Sequence, residues 1–300
     1  MFGVTILGNN SALPAYNRHP TSQIISLNDQ LFLVDCGEGT QMQMNLYKIR
    51  RGKINHIFIS HLHGDHYFGL PGLITSYGLL GRISDLHLYA PSTLKQILDV
   101  ILNVSDTRLP YNLYFHALED SSVLVDEEHL VIECFKVFHR IDCWGFLFHE
   151  KRKPRKINAE ATEKFNVPIA YYEQLKQGED YVHDGKVIAN HELTFANRPV
   201  RTYAYCADTL YNETLVQKIQ KVNMLYHEAT YLKDKHEKAL SRFHSTTIQA
   251  AQLAKLAGVK RLLIGHFSST YEKLDDFLTE AQEIFPDTQL ALEGQTYLIA

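Results

Sequence analysis

Cysteine is scarce in this chain and badly placed for chemistry. Cys36, Cys134, Cys143 and Cys206 are widely separated, with no C-x-x-C among them, which excludes a disulfide framework and a thiolate zinc site and leaves buried, reduced thiols. Long apolar runs are missing too. None approaches the roughly 18–20 residues needed to cross a bilayer, so no membrane partner is expected. The N-terminus MFGVTILGNNSALP has no basic stretch followed by a long apolar one and a small-residue cleavage site, so the cytoplasm is the expected address. An excess of positive charge is also absent. The 30 Lys and Arg are outnumbered by 34 Asp and Glu, so any nucleic acid must be held by a local patch. Hydrophobic residues at 45% and charged residues at 21% exclude a disordered or fibrous chain.

Histidine is what the chain has in quantity: 16 residues, several of them grouped. Neutral imidazole is the commonest side-chain metal ligand. The elements around these groups are legible. VTILG (4–8), QIISL (23–27), LFLVDCG (31–37) and HIFIS (56–60) read as strands of an antiparallel or mixed sheet. Further strands are expected at 130–138, 202–208, 221–229 and 261–267, each running into His, Asp or a His-Glu pair. Helical periodicity appears at 39–49, 92–104, 246–257 and 271–284. The third of these carries a capping box, Thr246 with Gln249, and ends at Gly258. This order predicts an α/β fold, an αββα sandwich of two mixed β-sheets flanked by helices, in one domain over 1–300. Residues 149–199 break the pattern, because charge, Asn and Pro accumulate, and they read as an insertion projecting from the core.

HIFIS runs directly into His61-Leu62-His63-Gly64-Asp65-His66. Four nitrogen and oxygen donors in six residues can begin two adjacent metal sites, but a four-coordinate zinc needs more ligands than one segment supplies. His139, Asp208 and His266 each follow a predicted strand. With them the donors divide into His61/His63/His139 and Asp65/His66/His266, with Asp208 available as a bridge. So dense a set has little structural use without a metal.

With those residues in view, the chain resembles the metallo-β-lactamase superfamily and, within it, the ribonuclease Z (tRNase Z) family of endonucleases that trim precursor-tRNA 3′ ends. The HLHGDH run carries only the superfamily. LFLVDCGEGTQMQM (31–44), His227-Glu228-Ala229-Thr230 and His244-Ser245-Thr246 match the narrower family's DCGEGTQ, HEAT and HST motifs. Two departures stand out. The family's PxKxRN loop is Pro14-Ala15-Tyr16-Asn17-Arg18-His19 here, and the Gly-Pro dipeptide of its arm is missing from VPIAYYEQLKQGE. The resemblance implies two Zn2+ per chain, with Mn2+ as the alternative, precursor tRNA as substrate, a homodimer, and a flexible tRNA-binding arm at 149–199.

Phosphodiester hydrolysis needs a strong nucleophile and neutralised oxygens, and a metal pair supplies both by acidifying a shared water and clamping the reacting oxygens. Asp65 is placed to orient or deprotonate that water. His244 is the candidate proton donor to the leaving 3′ oxygen, oriented by Glu228; its alternative is a place beside a helix cap. The run Lys151, Arg152, Lys153, Arg155 and Lys156, alone a solvated face, becomes a phosphate grip by its position in the family's arm. Arg18, Ser268 and Thr270 are further candidates for substrate contact. Two other readings remain: a superfamily hydrolase of small phosphodiesters or other esters, and a non-enzymatic RNA-binding scaffold. The first predicts no basic arm, and the second predicts lost metal ligands.

Overall fold

The computed structural model describes residues 1–300, which divide into two compact units. The larger comprises residues 1–126, 131–149 and 201–300. It is built on two seven-stranded mixed sheets with helices beside them, so the αββα sandwich expected from the sequence is present. In spatial order the first sheet runs Thr296–Leu298, Phe2–Gly8, Ser22–Leu27, Gln30–Cys36, Ile54–Phe58, Leu86–Ala90, Leu113–Ala117. The second runs Thr288–Leu290, Arg261–Gly265, Met224–Glu228, Thr202–Cys206, Cys143–Glu150, Leu130–Val137, Ser121–Glu127.

Alternation along the strands splits the core in two. Phe32 and Phe58 face Phe146 and Phe148 of the second sheet, with ring centroids 5.4–5.9 Å apart. Their neighbours Leu33 and Ile57 join a different cluster with Met44, Leu70, Leu73, Ile74 and Leu94 from the helices. Among the elements not anticipated are the helix Leu70–Leu79, the strand Leu86–Ala90 and its edge neighbour Leu113–Ala117. Strands of five residues are too short to show a distinguishing period.

At three of the boundaries that differ from expectation the local cause is visible. The strand read as 56–60 ends at Phe58, and the Ser60 N–H donates to Asp35 Oδ1 at 2.7 Å instead of joining a ladder. The strand read as 261–267 breaks at His266, whose φ of +60° lies in the left-handed region, into Arg261–Gly265 and Phe267–Ser268. The helix read as 271–284 begins only at Asp275, because the carbonyls of Tyr271 and Glu272 are taken by the Arg18 guanidinium.

Four strands of the second sheet, from Thr202–Cys206 through Met224–Glu228 and Arg261–Gly265 to Thr288–Leu290, are parallel. In the first sheet Gln30–Cys36, Ile54–Phe58 and Leu86–Ala90 are parallel as well. Parallel strands deliver their C-terminal ends to one edge, the usual place for a site in such sheets. Asp208, Glu228 and His266 reach a common edge in this way.

The smaller unit comprises residues 127–130 and 150–200. It has its own apolar cluster of Val167, Leu175, Tyr181, Ile188 and Leu193. Its hairpin, Tyr181–His183 with Lys186–Ile188, turns on Asp184 and Gly185 at φ +50° and +76°, the paired positive φ of a type I′ turn. The two cysteine-bearing sheets contain no disulfide, and all four thiols are buried and free. No helix is long and apolar enough to cross a membrane.

Candidate metal centre

The loop after Ile54–Phe58 packs onto the segment Asp35-Cys36-Gly37. A Cβ on Gly37 would meet the Asp65 carbonyl at 2.5 Å, so glycine is required for this approach. The turn that follows presents the four donors at 61–66, and the strand ends bring in the other three. His61 Nε2 and His63 Nδ1 are 3.0 Å apart, His63 Nδ1 and His139 Nε2 3.1 Å. Asp208 Oδ2 lies 3.5 and 3.8 Å from the Nε2 atoms of His61 and His139. The other oxygen, Oδ1, lies 3.4 Å from His66 Nε2 and 3.2 Å from His266 Nε2. Asp65 Oδ2 stands 3.7 and 3.3 Å from the same two nitrogens.

This partition is the one read from the sequence, with Asp208 between the two donor sets. Donors held about 2.0–2.1 Å from a tetrahedral ion stand about 3.3 Å apart, which is the spacing found here. Asp208 Oδ1 is buried and has no hydrogen-bond partner, a costly state for a carboxylate oxygen unless a cation answers it. The residues therefore fit a pair of metal ions with nitrogen and oxygen ligands.

Around the donors is a layer of hydrogen bonds that sequence reasoning did not assign. Asp35, itself at φ +55°, accepts from the Ser60 amide, the Ser60 hydroxyl and the Tyr205 hydroxyl at 2.6–2.8 Å, and holds His66 Nδ1 at 2.7 Å. His139 Nδ1 donates to the Phe243 carbonyl at 2.8 Å, and His266 Nδ1 meets Thr230 Oγ1 at 2.9 Å. The Ala12 amide donates to Asp65 Oδ2 at 2.7 Å. Such partners fix which imidazole nitrogen faces a metal. The Asp in DCGEGTQ was visible in the sequence, but nothing local announced which histidine it would hold.

Electrostatics follow from burial and charge. Burial pushes the His61 imidazole well below its usual range, and burial likewise lowers His63, to about 4, so both offer lone pairs. Burial opposes ionisation of Asp65 and Asp208, yet the surrounding imidazoles outweigh it and hold both carboxyls below their usual range. Glu228, fully buried, accepts from the Thr209, Thr230 and Ser245 amides and holds His244 Nδ1 at 3.0 Å. Burial lowers the His244 pKa, but the Glu228 carboxylate more than offsets this and raises it to about 9. Asp208, His244 and His266 also sit close enough to share an ion. Nδ1, the His244 atom near Asp208, is committed to Glu228.

These groups open onto a cavity of about 470 Å³ lined by His63, Asp65, His139, Asp208, His244, Ser268 and Thr270. Arg140, Lys238 and Arg242, none of them singled out from the sequence, line it too. Arg18 does not. Its Nε donates to Asn10 Oδ1 at 3.0 Å and its terminal nitrogens to the Glu272 and Tyr271 carbonyls, so it clamps two loops.

The smaller unit has a cavity of about 880 Å³ lined by Arg152, Lys153, Arg155 and Lys176, with Glu128 and Asp180. Lys151 and Lys156 lie outside that lining. Arg155 donates through Nε to Thr194 Oγ1 at 2.7 Å. Its charge remains in the cavity wall while its position is fixed.

Known proteins bear on this centre. The family model described as anti-Pycsar protein Apyc1 matches residues 2–150. A ribonuclease Z of Porphyromonas gingivalis is 45% identical, over 97% of this chain and 97% of its own length. One of Bacteroides thetaiotaomicron is 42% identical over 99% and 95%. The crystal structure of human tRNase Z, short form, superposes with a TM-score of 0.72 at 26% identity, covering 99% of both chains.

Proposed function

The chain belongs to the ribonuclease Z family, and from that premise we propose that it is a metal-dependent endoribonuclease that removes the 3′ trailer from precursor tRNA, leaving a 3′-hydroxyl on the tRNA. The observation that carries the reading is the juxtaposition of two donor sets sharing Asp208 with a buried Glu228–His244 pair.

His61, His63 and His139 would hold one ion, Asp65, His66 and His266 the other, and Asp208 both. We take the pair to be zinc, two per chain, with manganese as its substitute, since nitrogen and carboxylate ligands in fours suit zinc. When bound, the ions would acidify water toward neutrality and neutralise the phosphoryl oxygens. Asp65 Oδ2, steadied by the Ala12 amide, would orient the attacking water and accept its proton. His244 would deliver a proton from Nε2 to the leaving 3′ oxygen. Glu228 would keep Nδ1 protonated and the ring charged, the division of labour of carboxylate–histidine pairs.

The basic run at 151–156 would hold tRNA phosphates away from the cut, and residues 149–199 would be the tRNA-binding arm. A homodimer working in the cytoplasm completes the proposal. Its test is incubation with a 3′-extended precursor tRNA, with and without a chelator, scoring the 3′-hydroxyl product. A protein that holds two metals per chain and hydrolyses small phosphodiesters, yet leaves the precursor intact, would be the alternative hydrolase. Light scattering in solution reports the dimer.

A further inference from the structure

The cavity over the donors is not charged evenly. One side is a set of bonded neighbours: the Ala12 amide reaches Asp65 Oδ2 at 2.7 Å, and Phe267–Ser268 pairs with Asn10–Ser11. Apart from Asp65, that side offers Ser11, Ala12, Phe68, Ser268 and Thr270, none of them basic. The basic residues of the wall are Arg140, beside His139, and Lys238 and Arg242, both exposed on the helix His236–Arg242.

That helix and His244 form one piece. The chain leaves the helix through Phe243 at φ +60°, the His244 N–H donates back to the Ala239 carbonyl at 2.9 Å, and the Phe243 carbonyl accepts from His139. Lys238 Nζ stands 5.2 Å from the centroid of the Tyr231 ring, and that ring stands 6.2 Å from the His244 ring. A group that meets His244 therefore has these cations beside it.

The polarity of the cut assigns the charged side. Cleavage that leaves a 3′-hydroxyl on the tRNA expels the 3′ oxygen of the tRNA, so the group that protonates it stands on the tRNA side of the phosphorus. In-line attack puts the nucleophile opposite. His244 has the first role and Asp65 the second in the reading above, on which this inference rests. Positions i and i+4 of a helix stand about 5–6 Å apart at Cβ, a step comparable to that between successive phosphates of one strand. Phosphate contacts set the register of a nucleic acid without reading its sequence. We propose that Lys238 and Arg242 bind the backbone phosphates next to the cut on its 5′ side, in the acceptor end of the tRNA, and that the trailer has no cationic partner in this cavity. The tRNA body is common to all substrates of such an enzyme, so a grip confined to it is indifferent to trailer sequence.

The metal-loaded enzyme tests this through its two products, each used as an inhibitor of precursor cleavage: tRNA ending in a 3′-hydroxyl at the cut, and a short trailer oligonucleotide with a 5′-phosphate. In Lys238→Ala and Arg242→Ala the inhibition constant of the tRNA should rise about three- to tenfold. The slope of its logarithm against log salt should become shallower by about 0.7–0.9 in each, as one phosphate contact is lost. The trailer constant should scarcely move, and Lys238→Arg and Arg242→Lys, which keep the charge, should stay near wild type. Equal loss on both products would be general attraction of a polyanion, and a loss confined to the trailer would reverse the sides. Either overturns the proposal, as does no change, or loss of metal in the Ala variants, which would make these side chains structural. The premise is checked separately with a precursor carrying sulfur in place of the bridging 3′ oxygen. A thiolate departs without a proton, so this substrate should restore much of the rate lost in His244→Ala. Absence of that recovery removes His244 from the leaving group, and the two failures stay distinct because the inhibition constants involve no bond breaking.

Discussion

The sandwich and the inserted unit treat charge in opposite ways. In the sandwich Asp35, Asp208 and Glu228 are at most 2% exposed; Asp35 and Glu228 are enclosed by hydrogen bonds, and Asp208 stands between imidazole nitrogens. In the inserted unit the buried polar side chains are neutral, and one of them, Asn190, donates to the Leu175 and Glu179 carbonyls at 2.8 Å. Most charges of that unit, Arg152 and Lys153 among them, are exposed, and Lys151 and Arg155 are half-buried. Bond making needs donors fixed to within a few tenths of an ångström in a place water does not screen. Holding a polyanion needs only enough positive charge within reach, and loose side chains serve.

That contrast can be broken at graded levels. Asp208→Ala removes the carboxylate common to both donor sets. Metal content should fall from two ions, and kcat on any phosphodiester should fall by more than the about 10–100-fold that loss of an outer partner costs. Metal analysis with single-turnover cleavage measures both, and two retained ions would end the bridging role. His244→Ala comes next, with kcat down by about 10²–10⁴-fold and metal content unchanged. A rate within a few-fold of wild type would return His244 to its place as a neighbour of the Thr246 cap. Asp35→Asn keeps the shape around His66 but removes the charge, and metal affinity should weaken by about 10–100-fold in a chelator competition. In the inserted unit, alanine at Lys151, Arg152, Lys153, Arg155 and Lys156 should raise KM for precursor tRNA and flatten its salt dependence. Hydrolysis of a small phosphodiester should scarcely change, and equal loss on both substrates would erase the distinction between the regions.

The cluster of nitrogen and oxygen donors was legible because four of them sit in six residues and the others close strands, so spacing alone carried the signal. The HEAT and HST segments were legible as motifs, and the structure joins them through the 3.0 Å contact of Glu228 with His244. Arg18 shows where local reading ended. It looked like a phosphate ligand by its loop, but the carbonyls that hold it belong to residues some 250 positions away. Arg140, Lys238 and Arg242 went unnoticed for the complementary reason. Scattered basic residues carry no pattern until folding gathers them at one cavity.

The chain by itself determined which atoms are available as ligands, where strands run and where the helix from Thr247 begins, because periodicity, capping and donor density are local properties. Tertiary structure alone decided which nitrogen of each histidine faces the centre, which carboxylate oxygen serves which donor set, and which basic residues gather at the cavity. Those choices turn on partners far apart in sequence, such as Asp35 with His66 and Thr230 with His266. A hydrogen bond is settled by distance and direction in space, and spacing along the chain does not encode it.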